Sequence, residues 1–218
     1  MGAGGFGREV LHWARDAWPN HHSLLAGFLS ADPDRLQGHA CGLDIVASPD
    51  DYRPLEGDRL LFAIGIPDCR RAVVESLLAR GAEFLTLVHP TAIVCPSAGI
   101  GSGSIVCPYA IVSDAARIGR FTLLNWYATV AHDAEVGDFA VLSPFAAVGG
   151  NARVGADCFL GTHASLAPAR SLGADSRVSA NSAVSADAPP RSIAFGVPAT
   201  IRPRVSLQQD RSDREDVG

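Results

Sequence analysis

Residues 124–148 read LNWYATVAHDAEVGDFAVLSPFAAV, and an aliphatic residue occupies every sixth position of this stretch. The spacing extends in both directions and holds at 16 consecutive positions, namely Val94, Ile100, Val106, Val112, Ile118, Leu124, Val130, Val136, Leu142, Val148, Val154, Leu160, Leu166, Leu172, Val178 and Val184. A small residue stands four positions after each of them, with Arg170 as the exception. A fixed hexapeptide period is typical of a parallel β-helix, since helices and alternating strands have other periods.

A second period of 18 residues lies over the first. A glycine follows the aliphatic residue in every third repeat, at Gly101, Gly119, Gly137, Gly155 and Gly173. If six residues form one side of a triangular prism, three sides form one coil, and residue i lies beside residue i+18. The aliphatic residues then point into the prism, and the coils stack at about 4.7–4.9 Å. Residues 92–188 are therefore predicted to form about five coils, each stabilised by its neighbours.

Composition narrows the possible partners of the chain. It has 218 residues, of which 47% are hydrophobic, and a formal net charge of −5, which argues against a nucleic-acid partner. No apolar run approaches the ~18 residues of a membrane span, and the glycine-rich start lacks the basic segment of a secretory signal. The five cysteines are odd in number and form no CxxC pair, which predicts reduced thiols in a cytoplasmic protein.

Residues 1–88 carry no hexapeptide repeat and are predicted to form a small α/β domain. Apolar spacing predicts a helix that follows the glycines of residues 2–7 and is stopped by Pro19. A second helix is predicted over residues 70–80, with Asp68 as its N-cap. Short apolar runs predict strands at residues 24–28, 60–64 and 84–88. Strands that alternate with helices are typical of a parallel sheet.

Two boundaries divide the rest of the chain. His89-Pro90 marks the junction with a β-helix domain that is predicted to span residues 89–205. The polar residues 206–218 are predicted to form a disordered tail.

The start of the chain departs from the usual pattern. A glycine-rich phosphate-binding loop normally follows a strand, but here Met1 directly precedes the glycines. Two explanations stay open: either the given start lies several residues too late, or the sheet lacks its central first strand. We expect the former.

Four features together resemble the sugar O- and N-acyltransferases: the glycine-rich α/β segment, the His-Pro junction, the uninterrupted repeat and the terminal Gly196-Val197-Pro198-Ala199. This family includes sialic-acid O-acetyltransferases and nucleotide-amino-sugar N-acetyltransferases, and the resemblance covers about residues 2–204. It implies an α/β N-terminal domain followed by a left-handed parallel β-helix, assembled as a homotrimer. It also implies a nucleotide-sugar substrate, and acetyl-coenzyme A bound in a groove between neighbouring subunits.

His132 and Asp133 are the candidate catalytic residues. His132 follows the inward-pointing Val130 by two positions, so its side chain is expected to project outward. Acyl transfer to an amine or hydroxyl needs a base whose pKa lies near the working pH, and imidazole supplies one. The adjacent carboxylate can hold the ring tautomer and stabilise the imidazolium. The resemblance implies such a pair here with histidine as the base, whereas the sequence alone leaves open an exposed surface histidine.

Two further residues are assigned to the same pocket. Gly150 lies 18 positions after His132, so it is expected one coil away on the same side. Its backbone N–H could stabilise the oxyanion that develops on a thioester carbonyl, or the glycine could simply fit a tight corner. Asn125 matches a family asparagine that orients the substrate, and the alternative is an asparagine that satisfies turn backbone.

The remaining binding residues are implied by the resemblance. For the coenzyme groove these residues are Thr162, Ala180, Gly196, Pro198 and Ala199, together with Gly150. For the nucleotide sugar they are Gly2, Gly4, Gly5 and Gly7 in the glycine loop, with Asp32 and Gly65 in two neighbouring loops. Backbone N–H groups at a helix start can bind phosphate. Arg70 and Arg71 could also reach phosphates, although helix-surface arginines usually have no specific role.

Several functions are compatible with these residues. The preferred one is an acetyl-CoA-dependent N-acetyltransferase that acts on a nucleotide-linked amino-deoxy sugar with His132 as base, and a sialic-acid type O-acetyltransferase would use the same base. A zinc lyase like the γ-type carbonic anhydrases needs three histidines from adjacent coils. His132 and His163 differ by 31 positions, which is not a multiple of 18, so no metal is expected. A non-catalytic β-helix scaffold is the last alternative.

Overall fold

The computed structural model describes residues 2–65 and 67–204. The tail predicted at residues 206–218 lies outside the described residues. Within the described part, neither α-helix is long and apolar enough to cross a membrane, since each has 13 residues.

The C-terminal part is a parallel β-solenoid with three faces, which confirms the interpretation of the hexapeptide period. Face 1 contains β4 Ile93–Val94, β7 Ile111–Val112, β10 Thr129–Val130, β13 Ala147–Val148, β16 Ser165–Leu166 and β19 Ala183–Val184. Face 2 contains β5 Gly99–Ile100, β8 Arg117–Ile118, β11 Glu135–Val136, β14 Arg153–Val154 and β17 Ser171–Leu172. Face 3 contains β3 Leu87–Val88, β6 Ile105–Val106, β9 Leu123–Leu124, β12 Val141–Leu142, β15 Phe159–Leu160, β18 Arg177–Val178, β20 Ser192–Phe195 and β21 Thr200–Pro203.

The register of the coils confirms the period of 18. Thr129 pairs with Ala147 on one side and with Ile111 on the other, all in parallel. The predicted inward column is buried from Val106 to Val184, and Leu124, Leu142 and Leu160 are each 0% exposed. This solenoid is consistent with the left-handed hexapeptide-repeat β-helix that the resemblance implies.

Each coil turns three corners, and we name them by the coil that contains His132. Corner A, residues 131–134, joins faces 1 and 2; corner B, residues 125–128, joins faces 3 and 1; corner C, residues 137–140, joins faces 2 and 3. The equivalent residues 18 positions away in either direction belong to the same corner.

The first part of the described chain, residues 2–85, is a small head with less regular structure. It contains α1 Gly5–Ala17, a short 3₁₀ turn at His22–Leu24, β1 Phe28–Leu29, β2 Ile45–Ala47 and α2 Pro67–Ala79. β1 and β2 are parallel, and a parallel bridge joins Leu60 to Phe84. The head thus keeps the two predicted helices and parallel strand pairing.

Four details of the head prediction were wrong. The strand predicted at residues 84–88 divides into the bridge at Phe84 and β3, which belongs to face 3. Residues 24–28 do not form one strand, because their first residue ends the 3₁₀ turn and pairing begins only at Phe28. The strand predicted at residues 60–64 is reduced to the bridge at Leu60. α2 begins at Pro67, so Asp68 lies inside the helix and is not its N-cap.

The head packs against face 3 and corner C. The inner side of α1 shares an apolar cluster with face 3, through Val10 and Leu123. A second cluster joins Phe62 of the head to Phe121 and Phe139 at corner C. Corner A therefore lies away from the packed surface of the head, whereas the first coils of corner B touch it at His89 and Cys107.

Candidate functional site

Corner A carries the predicted His-Asp pair on its outer surface. His132 Nδ1 lies 2.9 Å from Asp133 Oδ2, and the two side chains are 61% and 56% exposed. A carboxylate can only accept a hydrogen bond, so this contact places the proton of a neutral imidazole on Nδ1. Nε2 is then left with a free lone pair, as a general base requires.

The backbone at Asp133 is anchored to the neighbouring coil. Asp133 has φ of +57°, in the left-handed region that aspartate tolerates better than most residues. Its N–H donates to the carbonyl oxygen of Asp114 in the preceding coil at 3.0 Å. The carboxylate is thus presented to its neighbour His132 from an anchored corner.

Gly150 lies directly beside the imidazole, as the spacing of 18 predicts. A Cβ atom added at Gly150 would lie 2.7 Å from His132 Nε2, which is too close for any real contact. The carbonyl oxygen of Gly150 accepts the N–H of Ala169 at 2.9 Å. Within residues 2–65 and 67–204, its own N–H donates to no protein acceptor. A hydrogen-bond donor and a candidate base therefore share one small surface.

Asn125 does not join this group within one chain. It lies at corner B, and face 1 separates it from His132. Its Oδ1 accepts the N–H of Trp126 at 2.8 Å. The structure thus gives it the turn role that the sequence left open, while its side-chain amide N–H₂ still points to no described acceptor.

The candidate coenzyme residues divide between the two corners. Thr162 and Ala180 are exposed, and both belong to corner B, whereas Gly150 belongs to corner A. Gly196 lies between β20 and β21. Its N–H donates to Ser182 Oγ, in the last coil of corner B, at 3.0 Å. Ala199 N–H donates to the carbonyl oxygen of Ala183 at 2.8 Å, and Pro198 stands between these two anchors.

Corner B also carries an exposed aromatic column that the sequence analysis missed. Tyr109, Tyr127, Phe145 and His163 stack ring on ring, with centroids 5.1, 4.9 and 4.6 Å apart. The four residues follow each other at intervals of 18, so the period itself carried the signal. The stacked rings form a large exposed strip, mostly apolar, beside Asn125.

The glycine loop of the head folds against the first turn of α1. Gly4 is the N-cap, with no side-chain cap, and a Cβ at Gly7 would lie 1.6 Å from the carbonyl oxygen of Gly2. The guanidinium groups of Arg35 and Arg8 lie 3.7 and 3.9 Å from the Cβ positions of Gly4 and Gly5. A helix N-terminus with two nearby arginines attracts anions. Arg35 is a residue that the sequence analysis did not single out.

The other two loops assigned to the nucleotide lie at the same edge. Asp32 is exposed, and its Oδ1 accepts the N–H of Asp34 at 3.0 Å. Gly2 N–H donates to the carbonyl oxygen of Leu29, three residues before Asp32, at 3.0 Å. Gly65 borders open space, two residues beyond Ala63, which itself touches Gly2. The contacts of Gly2 with Leu29 and Ala63 thus bring these two loops to the start of α1.

Arg70 and Arg71 dock the head onto the solenoid. Arg70 is 2% exposed and donates to the carbonyl oxygens of Ile64 and Phe121, with its guanidinium 4.7 Å from the Phe62 ring centroid. Burial lowers the pKa of Arg70 to about 10. This side chain has no access to a phosphate.

Arg71 makes a second docking contact, at corner C. Its Nε and Nη2 donate to the two carboxylate oxygens of Asp157 at 3.2 and 2.7 Å, and its guanidinium lies 4.2 Å from the Phe139 ring centroid. The hydrogen bond to Asp157 raises the pKa of Arg71. Both arginines thus hold the two parts of the molecule together.

A zinc site would need at least three protein ligands close together. Among the described residues, no group of three histidine, cysteine, aspartate or glutamate side chains is placed to hold a metal ion. His132 lies at corner A and His163 at corner B.

Several solved structures are similar to this chain along most of its length. The acetyltransferase domain of PglB from Neisseria gonorrhoeae is 30% identical, with a TM-score of 0.82 over 91% of this chain and 96% of that chain. A structure of the same domain in complex with acetyl coenzyme A matches equally well and is covered to 95% of its length. PerB from Caulobacter crescentus, in complex with CoA and GDP-perosamine, is 29% identical, with a TM-score of 0.79 over 92% of this chain and 94% of that one. WeeI from Acinetobacter baumannii is 27% identical, with a TM-score of 0.82 over 92% and 97%. No protein-family model matches the chain, and no curated protein sequence does either.

Proposed function

Because the chain belongs to the hexapeptide-repeat family of sugar O- and N-acyltransferases and is an acetyltransferase of that family, we propose that it acetylates the amino group of a nucleotide-linked amino-deoxy sugar. Acetyl-CoA is the donor, and His132 is the general base. The observation that carries this proposal is the arrangement at corner A. There, the Nε2 atom of a carboxylate-oriented histidine lies beside the backbone of Gly150.

The proposed reaction follows from these groups. His132 Nε2 takes a proton from the sugar amine as the amine nitrogen attacks the thioester carbonyl carbon. The N–H of Gly150 donates to the carbonyl oxygen as negative charge develops there. The C–S bond then breaks, and the imidazolium returns the proton to the departing thiolate. Asp133 holds the ring orientation throughout and stabilises its charged form.

We propose that the head binds the nucleotide of the sugar substrate. The glycine loop with Gly2, Gly4, Gly5 and Gly7, flanked by Arg35, offers backbone N–H groups and positive charge to a diphosphate. Asp32 and Gly65 lie in the two loops at the same edge and are proposed to contact the nucleoside. GDP-perosamine in the PerB structure supports this substrate class.

The geometry also favours a homotrimer with shared sites. The head packs on face 3 and corner C, and corner A is the corner opposite face 3, so the head of one chain is directed away from its own His132. Asn125, Thr162, Ala180 and the turn of Gly196, Pro198 and Ala199 belong to corner B. We propose that corner A of one copy faces corner B of the next, with the coenzyme between them.

A subunit-mixing experiment tests this arrangement. His132→Ala inactivates corner A, and Thr162→Trp is expected to block the coenzyme at corner B. Dissociating and reassembling an equal mixture should restore about a quarter of the wild-type sites, because some interfaces then combine two intact corners. A monomeric mass by light scattering, or no recovery from a mixture that has verifiably exchanged subunits, would contradict the shared site.

The substrate class is tested by following thiol release from acetyl-CoA with a panel of UDP-, GDP- and dTDP-linked amino sugars. The same sugars with a hydroxyl in place of the amine test the O-acetyltransferase alternative. We expect turnover with an amino sugar, and a loss of about 10²–10⁴-fold in kcat for His132→Ala. His12→Ala, an exposed histidine on α1, is the control. If His132→Ala stays folded and keeps near-wild-type turnover, His132 is not the base.

A further inference from the structure

Corner A carries a further polar side chain that the proposed reaction does not use. Asp114 lies one coil before His132, just as Gly150 lies one coil after it, because faces 1 and 2 both pair with a shift of 18 residues. Asp114 is exposed and, like His132, follows an inward-pointing valine by two positions. Corner A thus presents a carboxylate, a candidate base and a backbone N–H in three successive coils.

The backbone holds these three residues in the same way. In each of them the carbonyl oxygen accepts the N–H of the residue 19 positions later, at 3.0 Å for Asp114, 3.0 Å for His132 and 2.9 Å for Gly150. Successive coils are about 4.8 Å apart. The Asp114 carboxylate therefore projects from a point equivalent to that of the imidazole, one coil away.

Other carboxylates of the solenoid stabilise its backbone, and Asp114 does not. Asp138 accepts the N–H of Arg120 at 2.7 Å, and Asp187 accepts the N–H of Ser171 at 2.8 Å. Within residues 2–65 and 67–204, the Asp114 carboxylate accepts no backbone N–H and forms no ion pair. The coil therefore has no visible need for a carboxylate at this position.

Ser97 holds the Asp114 carboxylate in place. Its Oγ donates to Asp114 Oδ1 and accepts the N–H of Ala115 at 3.0 Å. The second carboxylate oxygen, Oδ2, accepts no hydrogen bond in the described part of the chain. An ionised carboxylate can only accept hydrogen bonds. Corner A therefore offers a fixed acceptor that fits a hydrogen-bond donor of a ligand.

The position of the coenzyme indicates which ligand reaches Asp114. Thr162 and Ala180, which are proposed to contact the coenzyme, belong to coils that follow Gly150. With the threefold axis of the proposed trimer along the solenoid, equivalent coils of neighbouring copies lie at one level. The coenzyme then occupies the later coils beyond His132, and the acceptor sugar has the side on which Asp114 lies.

The size of a sugar ring matches the spacing of these groups. The amine of a pyranose and the hydroxyl on the neighbouring carbon are separated by less than one coil spacing of about 4.8 Å. When the amine lies at His132 Nε2, that hydroxyl is therefore within reach of Asp114. A hydrogen bond from a hydroxyl to a carboxylate is stronger than one between neutral groups.

We propose that Asp114 binds the hydroxyl next to the reacting amine and thereby selects acceptor sugars that carry this hydroxyl. The inference rests on the proposed function and names a substrate feature of the same site. Asp114 transfers no proton, and the path of the proton from the amine through His132 to the thiolate is unchanged. Asp114 is thus a substrate-binding residue, whereas Asp133 acts on the imidazole.

A cycle that combines one substitution with one change of substrate tests the contact. The variant is Asp114→Ala, and Asp51→Ala is the matched control, because Asp51 is also exposed and accepts a serine hydroxyl, from Ser48 at 2.7 Å, but lies in the head. The substrates are UDP-, GDP- and dTDP-linked 3-amino and 4-amino sugars, each with and without the hydroxyl on the carbon next to the amine. The measurements are kcat, KM and the thermal midpoint.

With a sugar that the wild type acetylates, Asp114→Ala should lower kcat/KM at least about tenfold, mainly through KM, the value of a hydrogen bond to a charged group. Asp51→Ala should change neither constant. Removing the neighbouring hydroxyl should cost the wild type a similar factor and cost Asp114→Ala less than about threefold. Asp114→Asn, which keeps the size of the side chain but loses its charge, should give an intermediate loss.

The outcomes separate this contact from the reaction itself. If removal of the hydroxyl costs Asp114→Ala as much as the wild type, the contact is wrong, while inactivation by His132→Ala would still support the proposed function. Unchanged KM in Asp114→Ala would overturn the contact as well. If no amino sugar of the panel is acetylated by the wild type, both the proposed function and this contact are wrong.

Discussion

The solenoid and the head bury their apolar residues in different ways. In the solenoid each inward position has an equivalent 18 residues away, and Leu124, Leu142 and Leu160 are all fully buried. In the head, β1 and β2 form a sheet of two strands, and Leu24 and Val46 stay largely exposed. In the solenoid, each coil is therefore stabilised by equivalent contacts with its neighbours. The head has no such repeated contacts and depends on a few individual ones.

The largest expected effect tests this contrast directly. Leu142→Ala removes a fully buried side chain from the middle of the column and should lower the free energy of unfolding by about 2–5 kcal/mol. Leu24→Ala in the head should change it by less than about 0.5 kcal/mol, because its side chain is exposed. Urea denaturation followed by circular dichroism measures both. Similar costs for the two variants would mean that the head is as tightly packed as the solenoid.

The second prediction concerns the corner where the solenoid carries chemistry. Gly150→Ala places a methyl group against His132 Nε2 and should displace the ring by about an ångström, lowering kcat about 10- to 100-fold. Steady-state kinetics measures this loss.

The thermal midpoint distinguishes a displaced imidazole ring from a disrupted coil. In a His132→Ala background the methyl group meets no imidazole, so Gly150→Ala should then leave the thermal midpoint nearly unchanged. A large destabilisation in that background would show that glycine is required by the coil itself.

The two regions also differ in how far the sequence predicts them. The solenoid, its register and the approach of Gly150 to His132 all follow from the periods of six and 18, because every coil repeats one geometry. The period of 18 also separates Thr162 and Ala180 from Gly150, because neither residue number differs from 150 by a multiple of 18. The resemblance grouped them in one groove, and the structure of one chain assigns them to different corners.

The head was predicted less accurately for a physical reason. The segment of residues 60–64 pairs through the bridge at Leu60, and several of its residues line a cavity of the head together with Gly2 and Leu29. Local propensity does not contain that information. The roles of Arg70 and Arg71 likewise depend on Phe121 and Asp157, which are 51 and 86 residues away in the chain.

The third prediction tests the joint between the regions. A double-mutant cycle with Arg71→Gln and Asp157→Asn should give a coupling of about 0.2–1 kcal/mol, because both side chains are partly exposed. Hydrogen exchange of α2 should rise in each single variant, while exchange in β12 stays unchanged. The pair Arg59 and Glu83, within the head, is the matched control. Zero coupling would leave Arg70 and the apolar clusters at face 3 and corner C as the attachments of the head.

The smallest effect is expected at Asn125, where the structure and the proposed function make different demands. Asn125→Asp keeps the oxygen that accepts Trp126 N–H but removes the side-chain N–H donor. The thermal midpoint should therefore stay within about 1 °C, while KM for the amino sugar rises about threefold, the value of one modest hydrogen bond. Asn125→Ala should lower the midpoint as well, since Trp126 N–H then loses its acceptor. Unchanged KM in the aspartate variant would reduce Asn125 to a turn residue. Corner B would then contribute no substrate contact through this side chain.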